Sequence, residues 1–388
     1  MHDELFSRGE QAQYSRHFLV NDFGVEGQAC LKAGKVLVVG AGGLGCPALM
    51  YLAAAGVGHI GIVEDDTVEV SNLHRQLLFG INDVGEAKGA IARKKLLSNN
   101  PYIDIEHFHD RLDEDNVMDY VQQYDVVLDG TDNFITKYLL NDACYLSGKP
   151  LIYASISQFE GQIAVFNVTD TDGQRSTNLR DIFPEPPPAG LSENCGEAGV
   201  LGVLPGIIGS LQALQAIRIL IGLGESLADK MTLFDALSLQ MRNVLMRHRE
   251  TNPLSGKQPS ISRPRAVTAR CGLAIGAEYS ISAHELERRL RSGERIQLID
   301  VRDHHEHSAI SLGGINMPLI DRRLGLSHPV EAIDTVIYCK TGARSVKALN
   351  KIMAIVGEGH CRSLTGGLDG YIAAGCRERL SMVGPHDE

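Results

Sequence analysis

Residues 36–45 read VLVVGAGGLG. Four apolar, strand-forming residues run straight into Gly40, Gly42, Gly43 and Gly45, so a strand ends on a G-x-G-x-x-G turn that opens a helix. Glycines there let backbone N–H groups approach a phosphate at the helix N-terminus. Outward from this turn, the strand-like runs KVLVVG, HIGIVE, DIEHF, DVVLDG and PLIYASI alternate with helical stretches over 43–55, 85–98, 113–123 and 134–147. That rhythm predicts an α/β fold with a mainly parallel sheet covered by helices.

After residue 157 the order loosens into QIAVFNV, the Pro-rich FPEPPPAG, an apolar helix and a strand KMTLFDA. Residues 251–277 mix Pro, Ser, Gly and Arg with little periodicity and read as a linker between a first domain over 1–250 and a second over 278–388. The second is a smaller α/β unit. In it ISAHELERRLRSG reads as an amphipathic helix and IQLIDVR as a strand, while TVIYCK is a strand ending on Cys339, with a helix from Ser345 to about Val356. Cys339 opens CKTGARS, a loop between strand and helix that aims backbone N–H groups at a thiolate or persulfide, with the helix N-terminus behind it.

A chain of 388 residues is long enough for two or three domains. Apolar residues at 44% and charged residues at 22% are those of a soluble globular protein. The charge-free run 198–217 is interrupted by Pro205, several glycines, Gln212 and Gln215, which suits a loop entering a buried helix better than a membrane span. The N-terminal MHDELFSRGE carries acids and no apolar stretch, so no targeting signal is expected and the protein is placed in the cytoplasm. Eight cysteines without a C-x-x-C pair read as reduced thiols. The net charge of −11 divides into −14 up to residue 250 and +3 beyond it, which argues against a nucleic-acid partner for the front half.

The glycine turn alone fits NAD or ATP. Glu64 closes HIGIVE at the distance expected of a carboxylate that holds a ribose hydroxyl. The following segment favours ATP: Asn72 and Arg75 precede an apolar run, Lys88 lies one element further on, and DGTDN puts Asp132 at a strand's C-terminal end. Two cations and a carboxylate around a glycine turn suit a triphosphate and its magnesium, whereas hydride transfer needs neither.

Over about residues 10–245 these motifs resemble the ubiquitin-activating superfamily, in particular its bacterial sulfur-carrier adenylyltransferases. The resemblance implies a Rossmann-like adenylation domain with Glu64 at the ribose, Arg75 and Lys88 at the phosphates, and Asp132 as magnesium ligand. It also implies Arg16, in YSRHF, as a residue supplied by the other subunit of a homodimer. Relatives usually hold a structural zinc on two C-x-x-C pairs. Here those positions fall on Asn178 and Asp181, and on Asn252 and Ser255, so no zinc is expected and the corner is expected to be held by packing alone. Cys195, in ENCGEAGVLG, matches the segment where such enzymes carry a cysteine able to attack an activated acyl group, though a buried thiol without chemistry fits equally. Cys30, Cys46 and Cys144 lie on helical stretches and are expected in the core, and Cys271, Cys361 and Cys376 have no motif around them.

CKTGARS, six residues from Cys339 to Arg344, resembles the active loop of rhodaneses, and IDVRDHHEHS, GGINMPL and LTGGLDGY match further landmarks of that family over about residues 278–384. Asp300, Arg302 and Glu306 are then structural, and Ser311 stands where relatives often carry histidine. The two resemblances together imply ATP-dependent adenylation of the C-terminal glycine of a ubiquitin-fold sulfur carrier ending in Gly-Gly. Sulfur transfer from a persulfide on Cys339 then gives a thiocarboxylate, with a cysteine desulfurase or thiosulfate as donor. In that scheme Cys339, Cys195, Arg75, Arg16 and Arg344 are the catalytic set. The alternatives are an adenylating enzyme with an amide or other acyl product, its rhodanese unit regulating or docking, and an NAD dehydrogenase, for which no hydride-transfer residue is recognisable.

Overall fold

The computed structural model describes residues 5–169, 172–186, 199–224, 228–265, 279–319, 334–356, 361–377 and 379–382. They form two compact units. Cys195 and Cys271 lie outside the described residues.

The first unit is built on an eight-stranded sheet of order β3-β2-β1-β4-β5-β6-β7-β8. Its parallel part consists of β1 (Lys35–Val39), β2 (His59–Val63), β3 (Asp104–Phe108), β4 (Val126–Asp129) and β5 (Leu151–Ser157). Four of them, β1, β2, β4 and β5, are mostly buried and read as nearly continuous apolar runs, whereas the edge strand β3 buries only Ile105. Three antiparallel strands extend it: β6 (Glu160–Phe166), β7 (Lys230–Asp235) and β8 (Gln240–Leu245). Every residue of β8 is exposed, so no alternation marked it in the sequence.

Helices cover both faces. Two short ones precede β1, α1 (Arg8–Tyr14) and α2 (Gly24–Ala33), which lack a regular apolar stripe and had no counterpart in the sequence reading. Asn100 Nδ2 ties this N-terminal segment down by donating to Tyr14 OH and to Ala53 O, each at 2.7 Å. On one face lie α3 (Gly45–Ala55) and α4 (Lys88–Asn99), and on the other α5 (Val117–Val121) and α6 (Phe134–Ser147). The helices expected over 85–98 and 113–123 start later than that, at Lys88 and Val117. The short α7 (Leu179–Ile182) follows, then α8 (Val203–Ile221). By length and composition α8 could cross a membrane, but it packs against α3, β5 and β6 and buries Leu204, Ile208, Gln212 and Ala216 there. Cys46 and Cys144 are buried as expected, whereas Cys30 is exposed: it lies on the outward side of α2.

The second unit has a five-stranded parallel sheet of order β12-β10-β13-β14-β9. The elements are β9 (Ser280–Ile281), α9 (Ala283–Arg291), β10 (Ile296–Asp300), α10 (His304–Ala309), β11 (Ile310–Ser311), β12 (Ile315–Asn316), β13 (Asp334–Tyr338), α11 (Ala343–Val356), β14 (Cys361–Leu364), α12 (Gly367–Ala373) and β15 (Ser381–Met382). Its central strand β13 carries the fully buried Tyr338 and delivers Cys339 to the sheet's carboxyl edge.

In the first unit Arg180 of α7 forks onto Asp142 of α6, Nε to Oδ1 at 2.7 Å and Nη2 to Oδ2 at 2.8 Å, with both side chains buried. Removing one partner strands a buried charge. Asp142→Ala is therefore expected to lower stability by about 3–5 kcal/mol in chemical denaturation, and Asp142→Leu combined with Arg180→Met to recover most of that loss.

Candidate functional site

The strand order reverses direction between β1 and β4, the point at which open α/β sheets bind ligands beyond their carboxyl ends. There the glycine turn sits. Gly40 adopts φ +91°, a left-handed conformation, and a Cβ on Gly45 would lie 1.9 Å from Gly40 O. Gly42 differs from Gly45. A Cβ there would make only ordinary contacts, at 3.8 Å to Gln76 Nε2 and 3.9 Å to Gly130 O.

A cleft of about 510 Å³ is lined by Gly40, Gly42, Gly43, Glu64, Asn72, Arg75, Lys88 and Asp132, all sequence-predicted site residues. Gly45 does not line it, and its part is to let the turn close. Glu64 is pinned: Oε2 accepts the Ala41 N–H at 2.7 Å and Oε1 the Asp66 N–H at 2.9 Å. Arg75 Nη1 donates to Ser71 O at 3.0 Å. Lys88, the first residue of α4, is buried and ion-paired to Asp66. Arg16 is exposed and does not line the cleft of its own chain.

Asp132 lies in the loop after β4 rather than at the strand's end, because β4 stops at Asp129. The helix cap next to it is Asn133, whose Oδ1 accepts the Thr136 N–H at 2.9 Å. That leaves Asp132 exposed in the cleft and without a hydrogen bond among the described residues. The sequence reading missed what shapes this loop. Asp129, fully buried, accepts the Thr131 N–H at 2.9 Å and the Thr131 hydroxyl at 2.7 Å on Oδ1, and binds Lys137 Nζ at 2.9 Å on Oδ2. Lys137 Nζ also donates to Ala154 O at 2.7 Å. Burial alone would strip the Lys137 charge, but the adjacent Asp129 outweighs it and holds the ammonium above its ordinary value. Also missed were Asp66, Gln76 and Arg111 on the cleft wall, although the doubled acid after HIGIVE was a visible signal for Asp66. Acids outnumber cations in the lining: Glu64, Asp65, Asp66, Glu69, Asp110 and Asp132 face Arg75, Lys88 and Arg111.

In the second unit Cys339 is buried at the floor of its loop, and the Gly342 N–H donates to its Sγ at 3.1 Å. Gly342 reaches this position at φ +98°. The loop rests on α12, where the Leu368 and Asp369 N–H groups donate to Cys339 O at 2.8 Å and Lys340 O at 2.9 Å. Only glycine fits at 367, since a Cβ there would lie 2.5 Å from Cys339 O. Ser345 Oγ bonds Gly342 O at 2.9 Å and Ser363 Oγ at 2.8 Å, bracing the loop from the helix side. Arg344 pairs with Glu306 through both carboxylate oxygens at 2.6 and 2.7 Å. The buried fork of Arg302 on Asp300 and the His307 Nδ1 contact to Asp300 Oδ2 at 2.8 Å hold the end of β10. Ser311 bonds Ser381 across β11 and β15, a packing role.

Residues 14–255 match the ThiF family and residues 282–374 the rhodanese-like domain. A probable adenylyltransferase/sulfurtransferase MoeZ of Mycobacterium tuberculosis is 42% identical over 346 residues, 88% of each chain. A sulfur carrier protein adenylyltransferase of Thermus thermophilus is 45% identical over 268 residues, 69% of this chain and 99% of that one. The mouse adenylyltransferase and sulfurtransferase MOCS3 is 39% identical over 388 residues, covering 92% and 83%. Among solved structures, Escherichia coli MccB matches with a TM-score of 0.55 at 20% identity, over 64% of this chain and 73% of that one, a likeness of fold.

Burial works against ionisation of Glu306, but the Arg344 hydrogen bonds and the Asp303 N–H together hold its carboxyl below the ordinary value of 4.5. A depressed folded-state value means that the pair stabilises fully above that ordinary value and is lost as the pH falls through the depressed one. Glu306→Gln is expected to lower the melting midpoint of the second unit at neutral pH, with variant and parent converging as the solution is acidified. Parallel curves across the whole range would count against the pair.

Proposed function

The chain belongs to the ThiF family and joins it to a rhodanese-like domain, and on that premise we propose that it makes a protein thiocarboxylate in two steps. The observation that carries the reading is the convergence of glycine turn, Glu64, Asn72, Arg75, Lys88 and Asp132 in one cleft, in a chain that also holds Cys339 in a loop where the Gly342 N–H donates to its Sγ. In the first step the C-terminal glycine carboxylate of a ubiquitin-like sulfur carrier attacks the α-phosphorus of ATP. The bond to pyrophosphate breaks, and an acyl-adenylate remains. Arg75 and Lys88 neutralise charge on the phosphates, Glu64 holds ribose, and the free N–H groups about Gly42 receive phosphate oxygens.

The excess of acids in the cleft, and an Asp132 carboxylate free of hydrogen bonds, fit a magnesium ion. Magnesium would supply charge neutralisation on the triphosphate, and Asp132 would hold it. Arg16, exposed and outside its own cleft, is assigned to the cleft of a second copy in a homodimer.

In the second step a persulfide on Cys339 attacks the acyl carbon. AMP leaves with the electron pair, and an acyl disulfide remains on Cys339. The persulfide's outer sulfur stands about 2 Å beyond a thiol that is itself buried, which brings it toward the loop mouth. Cys195 then attacks the Cys339 sulfur, the thiocarboxylate departs, and the resulting Cys195–Cys339 disulfide is reduced by an external thiol. The sulfur reaches Cys339 from a cysteine desulfurase or thiosulfate. An amide product is not favoured, since the relatives at 42% and 39% identity are named as sulfurtransferases as well as adenylyltransferases.

Carrier-dependent exchange of labelled pyrophosphate into ATP tests the first step and carrier mass after a single turnover the second. Asp132→Ala is expected to cut exchange on the order of 100-fold or more while leaving the protein folded, as its exposure requires. Cys339→Ala is expected to keep exchange near the parent rate and to reduce thiocarboxylate to below about a thousandth. Thiocarboxylate formed at the parent rate by Cys339→Ala would end the two-step reading.

A further inference from the structure

In the first unit, the start of α7 and the turn after β8 are tied together by four polar side chains. Asn178 Nδ2 donates to Ser255 Oγ at 2.9 Å, and Asn252 Nδ2 donates to Asn178 Oδ1 at 3.2 Å and to Asp181 Oδ1 at 2.8 Å. Asn178, Asp181 and Asn252 are 0%, 3% and 1% exposed. The remaining acceptors are taken by backbone. Asp181 receives the Asn178 N–H on Oδ2 and the Arg249 N–H on Oδ1, both at 2.9 Å, and Asn178 Oδ1 receives the Arg180 N–H at 3.0 Å. Asn252 Oδ1 takes the Leu254 N–H at 2.8 Å and the Ser255 N–H at 3.3 Å.

These are the four positions at which the resemblance to zinc-bearing adenylyltransferases places metal ligands, and the residues present do not fit a metal. The two amide nitrogens are donors with no lone pair for a cation. Asn178 Oδ1, Asp181 Oδ1 and Asn252 Oδ1 each already accept two N–H groups, which fills both lone pairs and leaves none for a metal. Among the described residues no group of three or more His, Cys, Asp or Glu could hold an ion. His248, with Nδ1 3.6 Å from Asp181 Oδ2, is the one additional ligand type close by among them.

The geometry points to a metal-free clasp in which hydrogen bonds alone do the work of an ion: they fasten the root of the connecting segment to α7. This corrects the expectation that packing by itself holds the corner. The turn is wound tightly enough to demand glycine at 256, where a Cβ would lie 2.4 Å from Glu250 O and 2.6 Å from Asn252 O. The Gly256 N–H closes it on Asn252 O at 2.8 Å. On its other side α7 is fixed to α6 by the buried Arg180–Asp142 fork. The turn after β8 is thereby set by a buried polar network, complete within the chain and independent of metal supply.

The test uses the full-length protein. Dialysis against a zinc chelator is expected to leave the melting midpoint unchanged, and metal analysis to find less than a tenth of an equivalent of zinc, about the level of a trace contaminant. Asn252→Ala removes two donations and two acceptances at once. It is expected to lower the midpoint by about 3–8 °C and to speed tryptic cleavage after the exposed Lys257 about tenfold or more. Ser255→Ala, which removes a single bond, serves as the milder variant should Asn252→Ala fail to fold. It is expected to shift both readouts in the same direction by less. Replacing all four, as N178C/D181C/N252C/S255C, is expected to create one tight zinc site and a chelator-sensitive midpoint. Stoichiometric zinc in the parent that is lost with Asp181→Asn would overturn the clasp, as would an unchanged midpoint and cleavage rate in both alanine variants.

Discussion

The first unit turns on the buried ion pair of Asp129 and Lys137. It sits where β4 ends, beside the reversal in strand order, and it joins four parts of the chain: β4 through Asp129, the 130–133 loop through Thr131, α6 through Lys137 and β5 through Ala154 O. Such a pair adds little net stability, because desolvating both charges offsets most of their attraction, yet losing either partner costs about 3–5 kcal/mol. Its consequence is positional. Gly130, next in the chain, packs so closely that a Cβ would lie 2.7 Å from Gly40 O. The loop that carries Asp132 and the glycine turn at Gly40 are therefore in direct contact, and a shift in one displaces the other.

The second unit solves a related problem with fewer charges. The Cys339 sulfur meets a backbone N–H, and the Arg344 cation is already matched by both oxygens of Glu306. The loop's shape is set by α12, whose first N–H groups hold the carbonyls of Cys339 and Lys340, and by Gly367, which lets the two segments touch. That loop holds a buried thiol, whereas the cleft of the first unit is a basin of about 510 Å³ in which acids exceed cations.

The polar cluster at Asn178 and Asn252 joins the start of α7 to the turn after β8 through buried hydrogen bonds. Three side-chain donations and five backbone N–H groups reach the oxygens of two carboxamides, a carboxylate and a hydroxyl, so none of the oxygens that meet there is left unpaired. A single apolar replacement would break that match, and for this reason the cluster constrains its four residues jointly.

By itself the sequence determined the fold class, the strand rhythm through β5, and the residues of both loops. Each of these depends on local pattern: apolar runs long enough to be buried strands, glycines where backbone must approach backbone, and a cysteine at a strand end. It also singled out Glu64, Asn72, Arg75, Lys88 and Asp132, which proved to share one cleft. What it could not contain were the partnerships between distant residues. Asp129 with Lys137, Arg344 with Glu306, and Asn178 with Asn252 each join residues 8, 38 and 74 positions apart, and no local periodicity marks such pairs. The exposed Cys30 and β8 escaped for the opposite reason, since their environment is set by which faces the sheet and helices leave uncovered. Only the tertiary structure decides those contacts, because burial makes an unpaired polar group costly and so selects the partner that the chain's topology brings within reach.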